Sequence, residues 1–94
     1  MDIKIYQIED IENVPYAFMP YDRAKDMLNI DDYALVADTK LDDEDLDLET
    51  IFTLGNTDKS IFQPIKPMRS ISVSDIIEVD GIKYYVDSFG FKRI

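Results

Sequence analysis

The pair Asp80-Gly81 constrains this chain more than any other feature. It lies between two apolar-rich runs, residues 76–79 and 82–86. Asp-Gly is a preferred pair for a two-residue type I′ loop, because both central positions need positive φ. That loop sets a register. Val79 faces Ile82, Ile77 faces Tyr84 and Asp75 faces Val86 on one side; Glu78 faces Lys83 and Ile76 faces Tyr85 on the other. The first side is almost wholly apolar and is expected to be core. The second carries a cross-strand ion pair and is expected to stay wet, where such a pair contributes under about 1 kcal/mol. A slip of one residue would exchange the two sides, so the pairing is strongly specified.

The flanks of the hairpin continue the pattern. Ser72-Val73-Ser74-Asp75 has the Ser-x-x-Asp spacing of a capping box, in which Ser72 and Asp75 satisfy free backbone N–H groups of one helical turn. The chain has no histidine, so neither serine can belong to a Ser-His pair, and both are assigned to the turn. Ser88-Phe89-Gly90 predicts a second turn with Gly90 at positive φ, and residues 91–94 predict a short last strand.

Toward the N-terminus, Ile3 and Ile5 alternate with Asp2, Lys4 and Tyr6, which predicts a strand over residues 2–8. Residues 9–15 are polar and end at Pro15, as a loop does. Pro20 opens a short helix whose apolar stripe is Tyr21, Ala24, Met27 and Leu28, with Asn29 at its end. A second strand spans residues 33–39, with Leu35 and Ala37 on one side and Ala34, Val36 and Asp38 on the other. A second helix is predicted over residues 42–53, with Asp42 as N-cap, an acidic first turn and Gly55 at C′. Its stripe of Leu48, Ile51 and Phe52 should dock on the sheet. Residues 56–69 hold two prolines and predict a loop, held down by Ile61, Phe62, Ile65 and Met68. Tyr84, Phe52 and Phe91 fall on expected core faces, whereas Tyr6, Tyr16, Phe18, Tyr21 and Tyr85 are less clearly buried and are read as core or core-edge packing, with a surface cluster of them as the mark of an interface. The expected fold is one α+β domain over residues 1–94. It is a small, mostly antiparallel and curled sheet with a C-terminal β-hairpin, and two short helices cover one face. An exposed edge strand, either residues 3–8 or residues 33–39, is the other candidate docking place.

Charge narrows the function. The net charge is −10. Residues 1–32 and 33–68 each carry eight acids against three bases, and residues 69–94 carry four of each. Direct nucleic-acid binding needs a basic footprint, and docking on an anionic membrane is opposed by the same charge. No cysteine is present, which excludes disulfides and thiolate metal sites. Asp2 and Lys4 interrupt the start where a leader would be apolar, so a cytoplasmic location is expected.

The constellation to test is the acidic run, Asp38, Asp42, Asp43, Asp45, Asp47 and Glu49. Asp43-x-Asp45-x-Asp47 has the spacing of the first three ligands of an EF-hand loop. Leu48 then stands where that loop needs glycine, and Leu54 where it needs glutamate. No metal or other cofactor is expected. The bland account is a solvated, dipole-matched helix start. The sharper one is mimicry of nucleic acid. DNA displays one charge per about 1.7 Å of axis, and a helix over 42–53 would span about 18 Å. Its acids, extended by Asp31, Asp32 and Asp38, could then occupy the basic groove of a protein partner.

Several pieces resemble the YodL-like domain family, small domains of Gram-positive bacteria and their mobile elements. They are Ile5-Tyr6-Gln7-Ile8, Asp32-Tyr33-x-Leu35-Val36, Leu48-Glu49-x-Ile51-Phe52 with Asn56, Arg69-Ser-Ile-Ser-Val-Ser-Asp75, and Tyr85-Val-Asp-Ser-Phe-Gly-Phe-Lys92. Pro67-Met68 before Arg69, and Ser74 where the pattern expects glycine, depart from it. The resemblance implies a cytoplasmic module found in phage or conjugative-element settings, and it carries no catalytic residues to this chain. The expected function is a non-enzymatic protein-interaction module, accessory or inhibitory, with the six acids above as its contact. The alternative is a homodimerising structural domain with no separate ligand.

Overall fold

The computed structural model describes residues 1–42 and 46–94. Strand β1 is Asp2–Ile8, helix α1 is Tyr21–Ala24, β2 is Tyr33–Lys40 and α2 is Leu48–Thr57. The C-terminal third supplies β3 (Ile76–Val79), β4 (Ile82–Val86) and β5 (Phe91–Arg93). Short 3-10 turns at Ile30–Asp32 and Lys59–Phe62 lead into β2 and out of α2. Among the described residues the strands form one five-stranded sheet in the order β2-β1-β3-β4-β5, and every pairing is antiparallel. The α+β class expected from the sequence is therefore the observed one.

The hairpin forms in the expected register, with Ile77 opposite Tyr84 and Glu78 opposite Lys83. Asp80 and Gly81 take φ 49 and 89, as a type I′ loop requires. The loop is also tied to β1. Asp80 N donates to Asp2 O at 2.9 Å, and Asp2 N donates to the Asp80 carboxylate at 2.7 Å. Gly90 has φ 75, and the last strand follows it as the sequence indicates.

The strand β1 is not an edge. It lies between β2 and β3, and the free edges belong to β2 and β5. Contacts more than 60 residues apart in the chain, such as Ile5 opposite Ile77, put it there. The alternation expected in β2 is also broken. Ile5 pairs with Ala37 and Tyr6 with Leu35, which leaves Val36 as the extra residue of a β-bulge. Val36 and Ala37 consequently enter the same core cluster, and Asp38 turns out to solvent.

Both faces of the sheet are covered, where the sequence suggested one. Ile3, Ile5, Ile77 and Val86 pack with Ile51 of α2, Phe62 and Ile71. Ile8 and Tyr85 pack with Tyr16 and Ala24 of the α1 segment. Adjacent strand residues point to opposite sides, so Ile76, paired with Tyr85, and Ile77, paired with Tyr84, serve different layers. Each fully buried Ile or Phe contributes about 1.5–3 kcal/mol through apolar area withdrawn from water. The side of the hairpin expected to be wet is therefore largely enclosed. Tyr85 and Ile76 are fully buried, Glu78 is 8% exposed, and Tyr84, expected to be core, is half-buried.

The second helix starts later than its acidic run suggests. Asp47, not Asp42, is the N-cap, and its carboxylate accepts from Thr50 N at 2.8 Å. The stripe of Leu48, Ile51 and Phe52 does dock on the sheet cluster. Gly55 is not the C′ residue. It is a buried helical position, and a Cβ there would overlap the side chain of Ile71. In the following segment Phe62 is fully buried and Met68 packs on the core, whereas Ile61 and Ile65 are exposed. A backbone bond from Ile65 N to Val36 O, 2.8 Å, holds that segment to β2. Gly55→Val should lower stability by about 1–3 kcal/mol through overpacking. Ile71→Val, which removes the outer methyl, should recover part of the loss in a double-mutant cycle followed by urea unfolding.

Candidate functional site

Of the six sequence-predicted acids, the structure describes Asp38, Asp42, Asp47 and Glu49, and of these Glu49 lies within a helix. Asp38 lies on β2, opposite Lys4, and is exposed. Asp42 follows β2 and is exposed outside any helix. Asp43 and Asp45 lie outside the described residues, and so does their place in the EF-hand spacing. Asp47 is committed to the α2 cap, and its hydrogen bonds from Thr50 hold its carboxyl below the ordinary value. Glu49 sits exposed in the first turn of α2. Of the acids thought to extend the array, Asp31 is exposed, but Asp32 accepts from the Tyr16 hydroxyl at 2.7 Å and works as a structural partner. The helix of about 18 Å imagined for a phosphate-like row is thus absent in that form. Among the described residues no group of three or more His, Cys, Asp or Glu side chains stands together as a metal site would.

Charged groups that sequence reasoning left to the scaffold are the most perturbed ones. Asp75 is 1% exposed. Its carboxylate accepts from Ser72 N and from Gln7 Nε2, each at 3.0 Å. Burial pushes its carboxyl up to about 6, against the opposing pull of those two donors and of the Arg69 charge. Gln7 is spent in the same network. Its Nε2 also donates to Arg69 O, and its Oε1 accepts from Arg69 N, both at 3.0 Å. Arg69 donates onward from Nη2 to Ile8 O at 2.9 Å. The capping-box expectation is thus half met. The Asp75 side chain reaches back to Ser72 N, but the backbone forms a β-turn, with Asp75 N donating to Ser72 O at 3.1 Å, rather than a helical turn.

Ser74 explains its own departure from the expected glycine. It sits in that turn at φ 80, which costs a non-glycine residue about 1–2 kcal/mol. Its hydroxyl accepts from Phe18 N at 2.9 Å, which glycine could not offer. Its carbonyl accepts from the Tyr33 hydroxyl at 2.6 Å. A neighbouring contact has the same character: the Tyr85 hydroxyl donates to Met19 O at 2.5 Å. Burial raises the phenols of Tyr33 and Tyr85, so both remain neutral donors.

Glu78 is the other enclosed acid. Burial alone would raise its carboxyl, but hydrogen bonds from Lys83 (2.9 Å) and Tyr6 (3.1 Å), with the charge of Lys4 nearby, hold it below the ordinary value. Gln7, Tyr33, Arg69 to Asp75 and Tyr85 all fall in the pieces that carry the family resemblance, but nothing in the sequence marks them as a site. The structure joins Gln7, Arg69, Ser72 and Asp75 in one polar lock.

The lock has a measurable pH signature. A carboxyl whose folded value is raised binds more protons in the folded state, so its stabilisation grows as pH falls. Between about pH 7 and pH 4, wild type should gain up to about 3 kcal/mol relative to Asp75→Asn, as the shift from 3.8 to about 6 implies. Urea midpoints of the two proteins across that range check it, because other titrations cancel in the difference.

No curated protein and no solved structure is significantly similar to this chain. The family model of the YodL-like domain matches residues 2–94, so nearly the whole chain, hairpin and lock included, lies within the match. The chain belongs to the YodL-like domain family.

Proposed function

We propose that this domain is a non-enzymatic protein-interaction module, an accessory or inhibitory protein of a phage or mobile element. In this reading its acidic surface docks on a basic protein partner in the cytoplasm. The observation that carries the proposal is the distribution of uncompensated charge. The chain has a net charge of −10, and among the described residues the acids that pair with a basic side chain are Asp2 and Glu78. Asp31, Asp38, Asp42 and Glu49 are exposed, and such charge attracts a basic surface over roughly one Debye length, about 10 Å at 0.1 M salt.

The geometry changes the form of the mimicry rather than its sign. A continuous helical row gives way to acids on β2, on the segment after it and at the start of α2. The non-enzymatic part rests on Asp75. It has the shifted carboxyl that a general acid would need, yet it is 1% exposed and its Oδ2 accepts from both Ser72 N and Gln7 Nε2.

Capture of a basic partner from a Gram-positive bacterial lysate should be efficient at low salt and lost at high salt. With the captured partner purified, the pair Asp38→Asn and Asp42→Asn should weaken binding several-fold without loss of fold, since both residues are exposed. Affinity unchanged between low and high salt would rule out the electrostatic mode.

A further inference from the structure

We infer that the cleft between the end of β1, the bulge of β2 and the segment 66–69 binds a small monocarboxylate with a short apolar body. The cleft has a volume of about 280 Å³. That is just under the roughly 300–1,000 Å³ of a site for a drug-sized molecule, so it suits a ligand of a few heavy atoms. Its walls are held in place by the protein's own bonds. The Gln7 side chain clasps the Arg69 backbone through both its nitrogen and its oxygen, each at 3.0 Å. Ile65 N donates to Val36 O at 2.8 Å, and Lys59 Nζ donates to Met68 O at 3.1 Å, which ties down the segment on either side of Lys66. A cleft already organised in this way loses little freedom when a ligand enters.

The charge of the cleft runs against that of the chain. The whole chain has 20 acids and 10 bases, yet the charged residues of the cleft are two bases, Lys66 and Arg69, and one acid, Glu9. Among the described residues the bases that pair with a carboxylate are Lys4, Lys40 and Lys83, so Lys66 and Arg69 keep their charge for a ligand. The Arg69 guanidinium is anchored rather than spent. Its Nη2 donates to Ile8 O at 2.9 Å, and a guanidinium has five N–H donors in a planar fork that matches a carboxylate.

The remaining walls select among anions. Besides Gln7, whose side chain is used by Arg69, they are Ile8, Ala34, Val36 and Pro67, all apolar. A phosphate or sulfate dianion would set a hydrated oxyanion against hydrocarbon, and its second charge would meet Glu9. A single carboxylate matches the local surplus of one positive charge and accepts charge-assisted hydrogen bonds, while a few carbons behind it cover the apolar wall. The exposed acids of the partner reading, Asp31, Asp38, Asp42 and Glu49, are not among the lining residues, so the two sites use different side chains.

The test is titration of the full chain with isovalerate, with isovaleramide and with inorganic phosphate, read from backbone amide NMR shifts. Isovalerate should give saturable shifts at Ile8, Val36 and Arg69. Its Kd should be roughly tenfold or more below that of the uncharged amide, as a charge-assisted contact implies. Phosphate should bind more weakly than isovalerate. Lys66→Gln, at an exposed position, should raise the isovalerate Kd about threefold or more, whereas Lys92→Gln, an exposed cation on β5, should leave it unchanged. Amide shifts outside the cleft check that both variants fold. Absence of saturable shifts up to the solubility of isovalerate would overturn the inference. So would an amide or a phosphate that binds as tightly, or a Lys66→Gln protein of unchanged Kd. The partner test above reads Asp38 and Asp42, so either proposal can fail alone.

Discussion

The buried carboxylate of Asp75 is the contact on which the arrangement of the sheet depends. A buried carboxylate is costly unless its oxygens are bonded, and removing one partner of such a group costs more than the bond contributes. Here Ser72 and Gln7 bond it, and Gln7 in turn clasps the backbone of Arg69. This joins the strand that begins the chain to the turn that introduces β3. Once the turn is fixed against β1, β3 pairs along the other edge of β1 and the hairpin follows in register. Among the described residues no buried side-chain nitrogen or oxygen lacks a partner, although desolvation still disfavours the charged form of Asp75.

A second consequence is a division of labour along the chain. The charge-neutral C-terminal third supplies the hairpin and shares the lock with Gln7, while both layers of the core are built with residues of the first two thirds. The acidic first two thirds supply the central strand β1, and among their described acids Asp32 and Asp47 accept structural hydrogen bonds. Among the described residues the large apolar side chain with the greatest exposure, Phe89, falls in the neutral part.

Much of the fold was legible before the structure. Asp80-Gly81 specified the hairpin and its register, Gly90 its turn, and Ile3 and Ile5 the first strand. The misreadings share a cause. Asp42 and Asp47 are equally good caps by type, and what selects Asp47 is that Leu48, Ile51 and Phe52 must face the sheet while the preceding segment leaves β2. Gly55 follows a helical stripe as a C′ glycine would, yet its lack of a side chain serves Ile71, sixteen residues on. Tyr85 looked peripheral because its burial depends on Tyr16, Met19 and Tyr21, which arrive from the far end of the chain. The acids chosen as a site were chosen for density in sequence, and density in sequence became proximity on one helix only if that helix began at Asp42.

The amino-acid sequence by itself determined the class, the charge, the family and the local backbone at the tight turns. Those follow from composition and from sterics within a few residues, such as the positive φ that Asp80 and Gly81 tolerate. Tertiary structure decided which strand is central, that both faces are covered, that Glu78 and Asp75 are enclosed, and which acids remain free. Each of these depends on groups more than 60 residues apart, such as Gln7 and Asp75, whose meeting is worth its entropy only after the whole sheet has closed around it.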